Sequence, residues 1–145
     1  GLSFAQIKKA LDEVAGDKEK ARAVLAQYSA TQAEKKADRE LAAGVVSAYV
    51  HSTGTVGVIV ELGCETDFVA KNEEFVSLAH DIAMHICAMA PTSINNEDGK
   101  GDETSLMKQS FIKDSSMTVE QRIQSAIQKF GENTKVTRFT RYSIN

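Results

Sequence analysis

The spacing of hydrophobic residues changes several times along the chain, and each change predicts a different element. Phe4, Ile7 and Leu11 recur at helical spacing behind a Ser3/Gln6 capping box, Gly16 stops that helix, and Asp17 caps a second one whose Ala21, Val24, Leu25 and Tyr28 share a face. Two helices of about three turns each cannot bury both faces alone, so they read as a fragment of a three-helix module or as an arm docked elsewhere. From Ser29 to Glu40 the composition turns polar and alanine-rich without a continuous apolar stripe, which predicts an exposed helical linker. Its charges, Glu34, Lys35, Lys36, Asp38, Arg39 and Glu40, are of mixed sign, as on a solvated face.

At Gly44 the period becomes that of a strand. Val46, Ala48 and Val50 fall on one side of a first strand, and Val56, Val58, Val60 and Leu62 on one side of a second, with His51 to Gly54 as the hairpin loop. This predicts an antiparallel pair with one apolar face, and Gly57 opposite that face suggests a bulge or a close approach by another segment. Thr66 then reads as the N-cap of a turn, and Asn72 as the cap of a long helix that covers the sheet with Phe75, Val76, Ala79, Ile82, Ala83, Ile86 and Ala90 before Pro91 ends it. Thr92 to Glu103 is polar, acidic and glycine-containing, the pattern of a mobile surface loop. Leu106 to Ile112 reads as a short extended segment, and a Thr118/Gln121 capping box opens a helix with Val119, Ile123, Ala126, Ile127 and Phe130 on one face, stopped by Gly131. Thr134 to Ile144, rich in β-branched and aromatic residues, is the third strand. Its alternate positions, Val136, Arg138, Thr140 and Tyr142 against Thr137, Phe139 and Arg141, leave neither side purely apolar, which points to a second face covered by another subunit.

Composition narrows the function classes. A chain of 145 residues with 42% hydrophobic and 26% charged residues has the makings of one folded domain, or of a small module attached to one. Its net charge of −3 argues against a dedicated nucleic-acid binder. No segment approaches the roughly 20 apolar residues of a membrane span, and the N-terminus lacks the plan of a signal peptide. Two cysteines, Cys64 and Cys87, are too few for a disulfide framework and favour a reducing compartment such as the cytoplasm.

Catalytic patterns are missing. There is no phosphate-binding glycine loop, no C-x-x-C pair and no G-x-S-x-G elbow. His80 and His85 lie roughly 140° apart around a helix, so they do not share a metal-binding face. Cys87 beside His85 has no oxyanion donor or orienting acid placed by the sequence, and Glu61, Glu65 and Asp67 lack the spacing of a calcium loop. Binding is therefore the expected class, with no catalytic residue, metal or cofactor.

The strand-to-helix junction Glu61-Leu62-Gly63-Cys64-Glu65-Thr66-Asp67-Phe68-Val69-Ala70-Lys71 is where a binding role concentrates. Phe68 there is either a core residue stapling the helix to the sheet or a rigid wedge presented to a partner, since exposed aromatics beside polar groups are common interface anchors. The other apolar residues of the long helix suffice to cover the sheet without it.

That junction, with Asn72, Phe75 and the helix from Leu78 to Ile86, closely resembles the signature of translation elongation factor Ts. The likeness extends to Ile7-Lys8-Lys9-Ala10-Leu11, Gly16-Asp17 and Lys20-Ala21, similar to the latter part of the family's ubiquitin-associated-like N-terminal module, and to Gly131-Glu132-Asn133 and Arg138 to Tyr142, similar to its closing motif and last strand. Nearly the whole chain is covered.

The resemblance implies a guanine-nucleotide exchange factor for elongation factor Tu that promotes GDP release during translation elongation, and no enzyme. In the family an aspartate–phenylalanine pair is pushed into the nucleotide domain of Tu near its magnesium site. Here that pair is Asp67 and Phe68, flanked by Thr66 and Val69. A second family contact, through apolar residues of the N-terminal module, falls on Phe4 and Ala5, where the family usually has two methionines. The family's first helix has no counterpart before Gly1, and the region between Pro91 and Leu106 is shorter than in members with a second core subdomain and a helical hairpin. The expected architecture is α+β. It comprises a partial helical module over residues 1–28, a helical linker over 29–43, and a core over 44–145 with a mobile loop at 92–105. In that core a three-stranded antiparallel sheet packs against the long helix and a C-terminal helix. The implied partners are elongation factor Tu and a second copy meeting through the core sheet, with no direct nucleic acid and no membrane. The implied compartment is the cytoplasm, or an organellar matrix for a processed form. The rival is a structural or adaptor protein that binds a translation GTPase without exchanging its nucleotide.

Overall fold

The computed structural model of the chain describes residues 18–95 and 103–144 together with Ala5, Lys8, Lys9 and Asp12. The Ser3/Gln6 capping box, the Gly16 stop, the Asp17 cap and the middle of the 92–105 loop lie outside these residues. The ends of that loop are tied to each other: Thr92 N donates to Thr104 O at 2.8 Å and Leu106 N to Ser93 O at 2.8 Å.

The fold is α+β, as expected: helix α1 (Lys18–Lys36), strands β1 (Ala43–Val50) and β2 (Val56–Cys64), the single-turn helix α2 (Asp67–Ala70), the long helix α3 (Glu73–Met89), a 3₁₀ turn (Leu106–Lys108), the short pair β3 (Ser110–Phe111) and β4 (Asp114–Thr118), helix α4 (Val119–Phe130) and strand β5 (Lys135–Ser143). β1, β2 and β5 form one antiparallel sheet with β2 in the centre. Helix α3 packs across β1 and β2, while α1 lies along α4.

Local chemistry sets the helix boundaries. Asn72 Oδ1 accepts the Glu74 N–H at 2.8 Å and opens α3, and Ala90, with a φ of 44°, closes it just before Pro91. Helix α3 carries no basic residue in its last turn, and Arg141 of β5 fills that role by donating from Nε and Nη2 to the Cys87 carbonyl at 3.2 and 3.1 Å. The Thr118/Gln121 capping box is fully formed on α4, and Gly131, at φ 72°, adopts the left-handed conformation that ends it. Helix α1 runs unbroken through residues 28 and 29, and its contact with the rest of the chain uses small residues: Ala21 and Ser29 are buried and Ala33 packs on the core. Small side chains let two helices approach closely, so a contact of this kind leaves no stripe of large apolar residues.

Several expectations are corrected. Val46, Ala48 and Val50 do not face the core: the register pairs Val45 with Leu62, Ser47 with Val60 and Tyr49 with Val58, so the odd-numbered side of β1 turns inward and Val46 and Val50 are each 67% exposed. With valines on both sides of β1, alternation alone could not choose, and the strongly apolar Val58-Val60-Leu62 face of β2 chose for it. The bulge sits between Glu61 and Leu62, not at Gly57, and Thr137 of β5 is the extra residue. It resets the alternation so that Val136 joins Phe139 and Arg141 on the inner side, while Arg138, Thr140 and Tyr142 face outward. Finally, Val76 on α3 and Ala90 at its left-handed end are exposed, and Leu78 and His85 take places in the core instead. Gly44 needs its missing side chain, because a Cβ there would meet the Leu62 carbonyl oxygen at 2.5 Å.

The core lies between the inner sheet face, α3 and α4, around Phe75, Leu78, Ile82, Ile86, Leu62 and Ile123. Phe75 and Phe130 meet edge to face with centroids 6.0 Å apart, joining the two helices. Among the described residues no helix is long and apolar enough to cross a membrane.

Candidate functional site

The chain leaves β2 at Cys64 and turns sharply into α2. Thr66 is the N-cap of that turn, extended at φ −128° and ψ 155°, and its Oγ1 accepts the Val69 N–H at 3.5 Å. Ala70 N donates to Thr66 O at 3.1 Å and Lys71 N to Asp67 O at 3.0 Å, which completes the single turn. The Cys64 thiol lies beneath it and donates to Thr66 O at 3.3 Å. Burial, and next the negative charge of Glu132, push that thiol above its ordinary pKa and leave it a poor nucleophile.

This turn fixes the direction of four consecutive side chains. Phe68 is 91% exposed, the most exposed of the large hydrophobic residues described. Asp67 beside it is exposed, whereas Val69 and Ala70 turn inward and join the hydrophobic core. Of the residues singled out from the sequence, Thr66, Asp67 and Phe68 therefore stand together at one outward corner, with Val69 as the inward anchor beneath them. Ala5 is exposed, and Phe4 lies outside the described residues.

The corner is held by the loop between α4 and β5. Glu132 Oε1 accepts the backbone N–H groups of Glu65 at 3.1 Å and Thr66 at 2.9 Å, and its Oε2 accepts the Thr66 hydroxyl at 2.6 Å. The exchange is mutual, since Glu65 Oε2 accepts the Asn133 N–H at 2.6 Å. Asn133, buried at 1% exposure, donates its side-chain amide to the carbonyls of Ala37 at 3.3 Å and Arg39 at 2.8 Å just after α1. Arg39 returns an ion pair to Glu65 at 3.6 Å, and Lys135 Nζ donates to Ala37 O at 2.9 Å. Residues 131–135 thus tie the exit of α1 to the corner that carries Phe68. None of Glu65, Glu132 and Asn133 was assigned a role in the corner from the sequence. They contact partners more than sixty positions away, and no local pattern announces such a pairing.

Glu61, Glu65 and Glu132 near the corner are engaged with protein groups rather than gathered around a vacant centre. Glu61 accepts Thr137 Oγ1 at 2.6 Å and Arg138 Nε at 3.0 Å, and these two donors hold its carboxyl below the usual range. Among the described residues, no three His, Cys, Asp or Glu side chains converge as metal ligands. His85 is fully buried, stacked on Phe111 and hydrogen-bonded to Gln109 and Ile112, away from Cys64 and the corner.

Comparison with known proteins places this corner in context. Residues 3–100 match the family model described as elongation factor TS. The elongation factor Ts of Desulforamulus reducens is 40% identical over 180 aligned positions, covering 99% of this chain and 83% of that protein. Those of Thermosipho melanesiensis, at 38% identity, and Thermotoga maritima, at 36%, cover 99% of this chain and 92% and 89% of their own lengths. On this match and this coverage, the chain belongs to the elongation factor Ts family.

Proposed function

We propose that the chain is a guanine-nucleotide exchange factor for elongation factor Tu, with Asp67 and Phe68 as the wedge it inserts near the magnesium site of its partner. Membership of the elongation factor Ts family supports the role in translation elongation. The observation that carries the wedge assignment is the 91% exposure of Phe68 on a turn whose next residue, Val69, is buried. A fully solvated phenylalanine forgoes about 1.5 to 3 kcal/mol of burial free energy, which a partner's apolar cleft can supply. Asp67 stands next to it as the polar member of the pair, and Thr66 fixes the direction of both.

Exchange is a coupling between two binding sites. If this chain weakens nucleotide binding to Tu by some factor, nucleotide weakens binding of this chain by the same factor. The wedge therefore favours the nucleotide-free partner. Displacing the groups that hold magnesium removes the main counter-charge of the phosphates, and GDP leaves.

Two further contacts belong to the proposal. Phe4 and Ala5, in the N-terminal helical module, make a second apolar contact with the same domain of Tu. A second copy of the chain covers the outer sheet face, where Val46, Val50, Ile59 and Tyr142 are exposed side by side across β1, β2 and β5. The two free, buried cysteines suit a reducing compartment, the cytoplasm or an organellar matrix.

The test is release of a fluorescent GDP analogue from purified elongation factor Tu. Acceleration by this chain in catalytic amounts is expected. Binding to Tu without acceleration would make the chain an adaptor and overturn the exchange assignment.

A further inference from the structure

The single turn that carries Phe68 spans only Asp67–Ala70. A helix of one turn fixes several dihedrals for very few hydrogen bonds and does not persist without outside support. Phe68, being 91% exposed, contributes almost no packing to hold itself in place. Its direction is inherited from the backbone, and the backbone is held from across the chain.

We propose that Glu132 is a positioning residue for nucleotide exchange: its carboxylate sets the orientation of the Phe68 turn. This rests on the wedge reading of Phe68 and adds a residue to it. A threonine hydroxyl has one hydrogen to give, and that of Thr66 goes to Glu132 Oε2 at 2.6 Å. Its rotor is thereby fixed with a lone pair facing the Val69 N–H, the capping bond of the turn, at 3.5 Å. The other carboxylate oxygen takes the N–H groups of Glu65 and Thr66, the two residues that lead into the turn. One side chain therefore accepts three hydrogen bonds from two consecutive residues, and bonds to an ionised acceptor are the stronger kind. The returning bond from Asn133 N to Glu65 Oε2 makes the attachment two-sided, so the corner cannot pivot about a single contact. Without the carboxylate the turn samples several directions, and the partner must bear the cost of ordering it at the moment of insertion.

The decisive experiment is a double-mutant cycle on the full chain, read as the maximal rate of fluorescent GDP release from purified elongation factor Tu at saturating exchange factor. Glu132→Ala is expected to lower that rate about tenfold, the scale of losing charge-assisted hydrogen bonds. In a Phe68→Ala background the same substitution is expected to change nothing further, because Glu132 acts only through that ring. An equal drop in both backgrounds, or a wild-type rate for Glu132→Ala, overturns the positioning role while leaving the wedge intact. If Phe68→Ala alone releases GDP at the wild-type rate, the wedge fails, and the role of Glu132 falls with it. Should Glu132→Ala fail to fold, Glu132→Gln serves. It keeps one acceptor for the backbone but presents an N–H to the Thr66 hydroxyl, and it is expected to lower the rate below wild type, again with no further change in the Phe68→Ala background. In the free chain, amide hydrogen exchange at Thr66 and Val69 is expected to speed up about tenfold in Glu132→Ala while core amides such as Ile82 stay protected. Unchanged exchange at both amides also overturns the proposal.

Discussion

Phe68 and Val69 are neighbours in the chain and opposites in the fold, one 91% and the other 9% exposed. The step of about 100° per residue around a helix separates them, and the Thr66 cap decides which of the two points outward. Anchor and presented ring thus belong to the same turn.

Separate losses follow for the two residues. Val69→Ala removes buried methyl groups and is expected to lower the unfolding free energy by about 1 to 2 kcal/mol. Denaturant titration measures this, and a substitution at Val69 without effect on stability would contradict its anchoring role.

The pH dependence of stability should carry the mark of His85. Ile112 N donates to its Nδ1 at 3.1 Å, so the ring proton resides on Nε2 and is given to Gln109 Oε1 at 2.9 Å. Burial lowers the His85 pKa, which means that the unfolded chain takes up this proton at a higher pH than the folded chain does. Stability is therefore full above the unfolded value of about 6.5 and falls as pH drops below it, by up to about 1.4 kcal/mol per pH unit. Glu61 and Asp114, whose pKa values are also lowered, lose their contributions only at more acidic pH. Denaturant titrations at pH 7.5 and 5.5 should accordingly show a loss that His85→Gln reduces. An equal loss in that variant would assign the effect elsewhere.

On the outer sheet face, Ile59 lies on the central strand between Ala48 and Thr140. Ile59→Glu places a charge in the middle of the proposed contact between copies. It is expected to give a monomer by analytical ultracentrifugation while changing folding stability by less than about 1 kcal/mol, because the side chain is already half exposed. A wild-type chain that sediments as a monomer at high concentration would contradict the dimer.

What could be read from the sequence was what local chemistry decides. The caps at Thr66, Asn72 and Thr118 and the stop at Gly131 all stand where the residue types predict, because each depends on groups within a few positions. The sheet and its three strands were legible too, but not the inner side of β1, which depends on pairing with β2. The register of β5 was hidden by the bulge at Thr137, which breaks strict alternation. Strand β3 lies within the extended segment expected over Leu106 to Ile112, whose first three residues form the 3₁₀ turn instead, and β4 was not foreseen because its Asp114-Ser115-Ser116 stretch has little strand character. His85 stacks on Phe111 and accepts from Ile112, contacts that only the folded chain brings together. Whether Phe68 is core or presented was a question the residues left open, and the structure has it 91% exposed. The Glu132 clamp is a tertiary arrangement across 66 positions, with nothing in either local segment to announce it.

Stopped-flow release of a fluorescent GDP analogue from elongation factor Tu, with wild-type chain and with Phe68→Ala, tests the central claim most directly. A buried aromatic anchor is worth about 2 to 4 kcal/mol at an interface, so the variant is expected to stimulate release at least about tenfold less while unfolding at the wild-type temperature. A folded Phe68→Ala chain that releases GDP as fast as wild type would contradict the account.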